Sequence, residues 1–443
     1  MFCCHSFRNS LRAILTSGLL LAGLVPPATA QLDYEQDPIN YSTRQPDDAI
    51  QHLMQRLEKG EAKLVWDKEH GYLKSMLENL GISQSSQTLV FSKTSLQISR
   101  ITPRTPRAVY FNDDVYIGWV QDGDVIEISA ADPHLGGTFY VMDQRNPDEP
   151  VIRRETARCL QCHGSTHTRR TPGHMVRSVY SDRGGIPVYR LGTHLNEDRS
   201  PFSERWGGWY VSGSHGKQRH MGNVTIDQEG EIEDLDVESG ANVTDLSRFF
   251  DTKPYLTPYS DIVAMMVLQH QSNMHNIITA ANHSGQLTAR DALIMNRALE
   301  RADDFQSEST IRRYASAAEK VIQGLLFCRE YELTDPVSGP TTFQADFEAR
   351  GPFDRQGRSL RQFDLQTRMF RYPCSFLIYT DSFRNLPEGV RSVVWRRLHE
   401  VLSGQDTSPE FAHLSSEDRR AILEILQDTC PELQQVVTSL AVK

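Results

Sequence analysis

The sequence predicts an α+β protein, with a β-rich N-terminal half followed by an α-helical C-terminal half. Three observations carry that expectation. Between residues 88 and 145, short runs of β-branched and aromatic residues alternate with Asn112-Asp113-Asp114 and Asp122-Gly123-Asp124, both good tight-turn sequences. From about Leu246 onward, apolar residues recur at three- and four-residue spacing, the period of a helix face. The 443 residues, 39% hydrophobic and 23% charged, have an ordinary globular composition and suffice for two or three domains.

Residues 1–30 read as a secretory signal peptide. Arg8 and Arg12 precede an apolar stretch from Ala13 to Val25, and Ala28-Thr29-Ala30 offers a small-x-small cleavage site after Ala30. No other long apolar run follows, so no transmembrane helix is expected once the leader is removed. Residues 31–87 are expected to be a polar arm followed by helices. Ile50, Leu53, Met54 and Leu57 fall on one helical stripe, and Leu73, Met76, Leu77 and Leu80 on a second that stops at Gly81. Residues 88–240 make the β-rich region. Its strand candidates include 88–91, 108–111, 115–120, 125–128 and 138–142, with 175–180, 187–191 and a hairpin over 221–240 further on. Residues 241–443 form the mainly helical domain. It contains a long helix over 261–278 with Ser260 as N-cap, helix starts at Thr288 and Thr310, and amphipathic helices over 312–330, 391–402 and 417–428.

Inside the β-rich region lies the only Cys-x-x-Cys-His of the chain, Cys159-Leu160-Gln161-Cys162-His163. A bare Cys-x-x-Cys also serves zinc sites and dithiol redox chemistry. A zinc knuckle, however, needs a second ligand pair, which this sequence lacks, and a thioredoxin-like dithiol ends a strand of a βαβ unit. Here the motif follows a charged run, Arg153 to Arg158, and leads into a His-rich basic loop. Those five residues resemble the haem-attachment signature of the c-type cytochromes. The resemblance implies one covalently bound haem c, with Cys159 and Cys162 joined to the two vinyl groups and His163 as proximal iron ligand. It further implies one-electron transfer to a redox partner protein in the bacterial periplasm or outside the cell, where such haems are attached. The wider pattern is similar to uncharacterised large secreted monohaem cytochromes of bacteria, a likeness that names no substrate. It is not the all-helical pattern of a small class I cytochrome c, so that family's distal methionine is not carried over.

The iron's other ligand is sought in three groups: His174 and Met175; His215, His220 and Met221; His270, Met274 and His275. The glycine-rich segment around Gly213 to Gly222 is favoured, with His220 the first choice and His215 the second; both also read as surface-loop histidines. Two protein ligands would make a carrier. An open position would instead permit a haem-dependent oxidoreductase, a peroxidase-like enzyme or a haem-based sensor. Trp119, Phe139 and Tyr140 could wall a haem or simply fill the strand core.

Net charge is −10, which argues against general nucleic-acid binding. Residues 151–220 run the other way, with twelve Lys/Arg against five Asp/Glu. Such arginines could pair with haem propionates, steer an acidic partner or simply balance an acidic scaffold. Cys328, Cys374 and Cys430 allow at most one disulfide. The sequence has no P-loop, dinucleotide fingerprint, nucleophile elbow or His-Glu-x-x-His.

Overall fold

A computed structural model describes residues 32–145 and 148–433, so the leader expected over 1–30 lies outside the described residues. The described residues from Asp33 onward form one compact unit. Two helices lead into the sheet: α1 (Ala49–Glu58) and α2 (Leu73–Leu80). Both fall on the expected apolar stripes. α2 ends at Gly81 with φ +65°, a left-handed cap that glycine adopts without steric cost.

The strands are β1 (Thr88–Val90), β2 (Arg107–Phe111), β3 (Val115–Trp119), β4 (Val125–Asp132), β5 (Gly136–Asp143), β6 (Ile152–Arg154), β7 (Arg177–Val179), β8 (Thr193–Leu195) and β9 (Trp209–Tyr210). Seven of them pair antiparallel in the order β6-β5-β4-β3-β2-β1-β9, while β7 and β8 form a separate ladder. Strand periodicity divides the large sheet into two unlike faces. On the first, Tyr110, Ile117, Trp119, Ile128, Tyr140 and Met142 pack with Ile50 and Leu53 of α1 and Leu73, Met76 and Leu77 of α2. On the second, the register lines up Phe111, Tyr116, Ser129 and Phe139 in one row and Val109, Gly118, Glu127 and Val141 in the next.

Asp48 pins the first face. Its carboxylate caps α1 by accepting from the Ile50 and Gln51 amides, and it also accepts from the Thr138 and Tyr140 hydroxyls at 2.7 and 2.6 Å.

Three expectations differ from the structure. Residues 33–48 are not an extended arm: Tyr34, Ile39 and Tyr41 are buried with Leu135, Phe139 and Leu160, because three apolar side chains in eight residues suffice to pull the segment down. Residues 187–191 make one isolated bridge and a 3-10 turn, and 221–240 form turns rather than a hairpin. The long helix is also twice the expected length. The helices after the motif's own α3 (Leu160–His163) are α4 (Ile262–Ala298), α5 (Glu308–Leu325), α6 (Phe343–Glu348), α7 (Asp381–Arg384), α8 (Glu388–Leu402) and α9 (Ser416–Thr429). α4 starts from Asp261 rather than Ser260 and runs through Thr288, whose hydroxyl turns back to the Ser284 carbonyl instead of capping a new helix. α4 is buried along most of its first five turns between the sheet's second face and the C-terminal helices.

Candidate functional site

The Cys-x-x-Cys-His motif folds as a single helical turn. Cys159 is its N-cap residue, the His163 amide donates to the Cys159 carbonyl at 2.9 Å, and the turn is anchored by buried Leu160. Both thiols are free: Cys159 is half-buried and Cys162 exposed. Burial, helped by Glu155 and Glu127, pushes the Cys159 thiol up to about 11.

The following loop closes back on the histidine. The Gly173 amide donates to the His163 carbonyl at 2.9 Å, and His163 Nδ1 meets the Gly173 carbonyl, also at 2.9 Å. A carbonyl can only accept, so Nδ1 carries the proton and Nε2 keeps its lone pair. Burial also lowers the His163 pKa, which favours the neutral ring. Gly173 fits here for a steric reason, since a Cβ would lie 2.1 Å from Asn276 Oδ1 of α4. Asn276 clamps the next residue from both sides, accepting from the His174 amide and donating to its carbonyl.

His163 lies against Phe139 of β5, with ring centroids 4.8 Å apart. Period-two alternation therefore separates the three aromatics singled out above. Phe139 faces the motif, whereas Trp119 and Tyr140 belong to the opposite face. Arg107 and Glu127, paired at 2.6 Å, act electrostatically on His163. Buried atoms without a protein partner gather in this region: Arg107 Nε, Ser129 Oγ and both ring nitrogens of His174. Half of the twelve basic residues of the 151–220 block are matched by acids, such as Arg169 and Arg199 with Glu197 or Arg219 with Glu238. Arg177 is different. Among the described residues its guanidinium has the Thr193 hydroxyl and the Tyr189 ring, and no carboxylate. Its Nε is buried without a partner.

The candidates for the second ligand fall in separate places. His215 and His220 are buried side by side, 4.7 Å apart, in a nest with Phe202 and Trp206. Among the described residues no ring contact joins that nest to His163. His215 uses both ring nitrogens, toward the Gln218 carbonyl and the Asn242 amide. His220 accepts from the Gly222 amide through Nδ1 and keeps a buried, unpartnered Nε2. His270 is held between Asp198 and Ser375 at 2.9 and 2.8 Å. That line has the order of a nucleophilic triad, but His270 and Ser375 are fully buried among Phe327, Phe370 and Phe376, so it ties segments together. His275 and His174 do approach the motif. They pack 5.7 Å apart beside Tyr116, and burial lowers the pKa of both, His275 to about 4. His174 directly follows the carbonyl that holds His163 Nδ1, which places it on the Nδ1 side of that ring.

A cleft of about 490 Å³ opens next to the loop, lined by His167, Thr193, His194, Glu197, Arg199 and Glu204 among others. Sequence reasoning missed Tyr116 and Asn276 as neighbours of the motif's loop, because each arrives from a remote segment with no local signature. Cys328, Cys374 and Cys430 are free thiols, with Cys374 and Cys430 buried. No described helix is long and apolar enough to cross a membrane. Compared with protein-family models, with curated proteins and with solved structures, the chain matches none.

Proposed function

We propose that this chain is an exported monohaem c-type cytochrome that passes single electrons to and from a partner protein. The observation that carries the proposal is the motif itself: two unbridged thiols and a histidine on one helical turn, with His163 Nδ1 occupied by a carbonyl and Nε2 left as the ligating nitrogen. The residues present fit a haem c. Cys159 and Cys162 would hold it covalently, His163 would ligate the iron, and Phe139 would keep the imidazole in place. Arg177, whose guanidinium has no carboxylate among the described residues, is suited to its propionates. When bound, the haem supplies a reversible one-electron couple through its iron. The chain's own part is to fix the ligand ring, exclude water from its inner side and set the surrounding charge. The leader expected over 1–30 supports attachment beyond the inner membrane. A haem enzyme remains the second reading, favoured by the cleft beside the loop.

The test is expression with the c-type maturation machinery, followed by a denaturing gel stained for haem and a pyridine haemochrome spectrum. Covalent haem, abolished by the double change Cys159→Ser and Cys162→Ser, is expected. Protein without covalent haem would sink the proposal. A reduced spectrum unchanged by carbon monoxide favours the carrier, and a shift favours the enzyme. The same spectrum of His220→Ala tests that residue as ligand.

A further inference from the structure

The hydrogen bond that fixes the His163 ring does not end at the Gly173 carbonyl. That carbonyl belongs to the same peptide group as the His174 amide, which donates to Asn276 Oδ1 at 2.8 Å. A trans peptide points its C=O and N–H in opposite directions, so this group has His163 on one side and α4 on the other. Asn276 Oδ1, the peptide and His163 Nδ1–H therefore form one continuous relay that ends at the imidazole. Asn276 closes the contact with its other arm, Nδ2 donating to the His174 carbonyl at 2.6 Å. The orientation of the carboxamide is forced, because a main-chain amide only donates and a carbonyl only accepts.

The relay is tightly held. Asn276 is 4% exposed. A Cβ on Gly173 would lie 2.1 Å from Asn276 Oδ1, and one on Gly137 of β5 would lie 3.0 Å from the Gly173 Cα. The two glycines thus let sheet, loop and helix meet at this point. The Pro172 carbonyl, one residue before Gly173, accepts from the Gly137 amide at 2.8 Å. α4 itself is registered on both sides of Asn276: Gln271 and His275 meet the Asn112 and Asp113 carbonyls, and Asn282 donates to the Pro133 carbonyl.

We infer that Asn276 is a positioning residue for the ligating histidine, acting through the Gly173–His174 peptide rather than by touching the ring. Two effects run in the same direction. Accepting from the amide polarises the peptide and makes its carbonyl a stronger acceptor for the His163 Nδ1 proton, linked hydrogen bonds reinforcing one another by about 10–30% each. Holding the peptide plane also holds the imidazole plane, so Nε2 keeps both its lone pair and its aim. A histidine whose far nitrogen donates strongly is a more basic ligand, and a more basic ligand favours oxidised iron. That redox consequence rests on the proposed function, whereas control of the tautomer does not.

Two variants of the full chain test it. Asn276→Leu removes both arms, and Asn276→Asp keeps an oxygen for the His174 amide. In haem-free protein with isotopically labelled histidine nitrogens, NMR of the unaltered chain should show His163 as the Nδ1–H tautomer, its signals identified by their loss in His163→Gln. Asn276→Leu should raise the share of the other tautomer at least about threefold, and Asn276→Asp should not. In haem-loaded protein at a fixed ambient potential, Asn276→Leu should move the iron toward its reduced state about threefold or more. Asn276→Asp should not share that rise in reduction potential. An unchanged tautomer, or an unchanged or lowered potential, in folded Asn276→Leu overturns the inference, and so do equal shifts in the two variants. Should Asn276→Leu not fold, Asn276→Ser, which also lacks the carboxamide, carries the same expectations and the same refutation. If no haem attaches, the proposed function fails, and the tautomer alone decides this inference.

Discussion

The two faces of the seven-stranded sheet are built from alternate residues of the same strands, yet they do different work. On the first, the inward side chains of β2 to β5 are apolar or have their polar atoms bonded, the Tyr110 hydroxyl to Gln87, the Thr138 and Tyr140 hydroxyls to Asp48 and the Asp132 carboxylate to backbone amides. The second carries a charged pair, Arg107 and Glu127, a bare glycine and a buried serine hydroxyl without a partner. A face that only had to be stable would not keep polar atoms unpaired. The contrast separates scaffold from site at the resolution of a single residue step, and Phe139 and Tyr140 are neighbours that belong to different roles.

Three substitutions test that separation. Trp119→Ala opens a large cavity on the first face and should lower unfolding free energy by about 3–5 kcal/mol, measured by denaturant titration. With haem attached as proposed, the absorption spectrum should be unchanged. Asp48→Ala removes a helix cap and strands the buried Tyr140 hydroxyl, while Thr138 keeps the Ala130 carbonyl, a loss of about 2–3 kcal/mol by the same measurement. It too should leave the spectrum alone. Phe139→Leu, on the second face, should lose less than about 1.5 kcal/mol. It should nevertheless shift the haem bands, since its ring touches His163. A spectral change in Trp119→Ala equal to that in Phe139→Leu would show that the faces are not functionally distinct.

What was legible in the chain was local. The Leu73 to Leu80 stripe, the Gly81 stop and the strands between Asn-Asp and Asp-Gly turns depend on residues close in sequence, and the structure has them. The α+β division follows from the same periodicities. The surroundings of the motif were not legible. Tyr34, Tyr116 and Asn276 come from three distant segments, and no spacing rule joins them to residue 163. His215 and His220 stood out for their glycine-rich setting, but the glycines there serve tight packing against neighbours such as Asp335 and Val211 rather than an approach to the motif. Thr288 misled because a threonine inside a long helix and a threonine that caps one look alike in sequence.

Asn276 gives the motif a position in time. The Gly173 carbonyl that fixes the His163 proton lies in a segment clamped by a residue of α4, more than a hundred positions later in the chain. While the polypeptide is still emerging, the thiols of Cys159 and Cys162 already exist with their final spacing, but the imidazole has no assigned tautomer. The segment that holds it is clamped at His174 only once the long helix docks. Under the proposed function, the chain would offer its attachment points early and its ligand geometry late, an order that would let a bulky planar group be joined to an open chain before the interior closes around it.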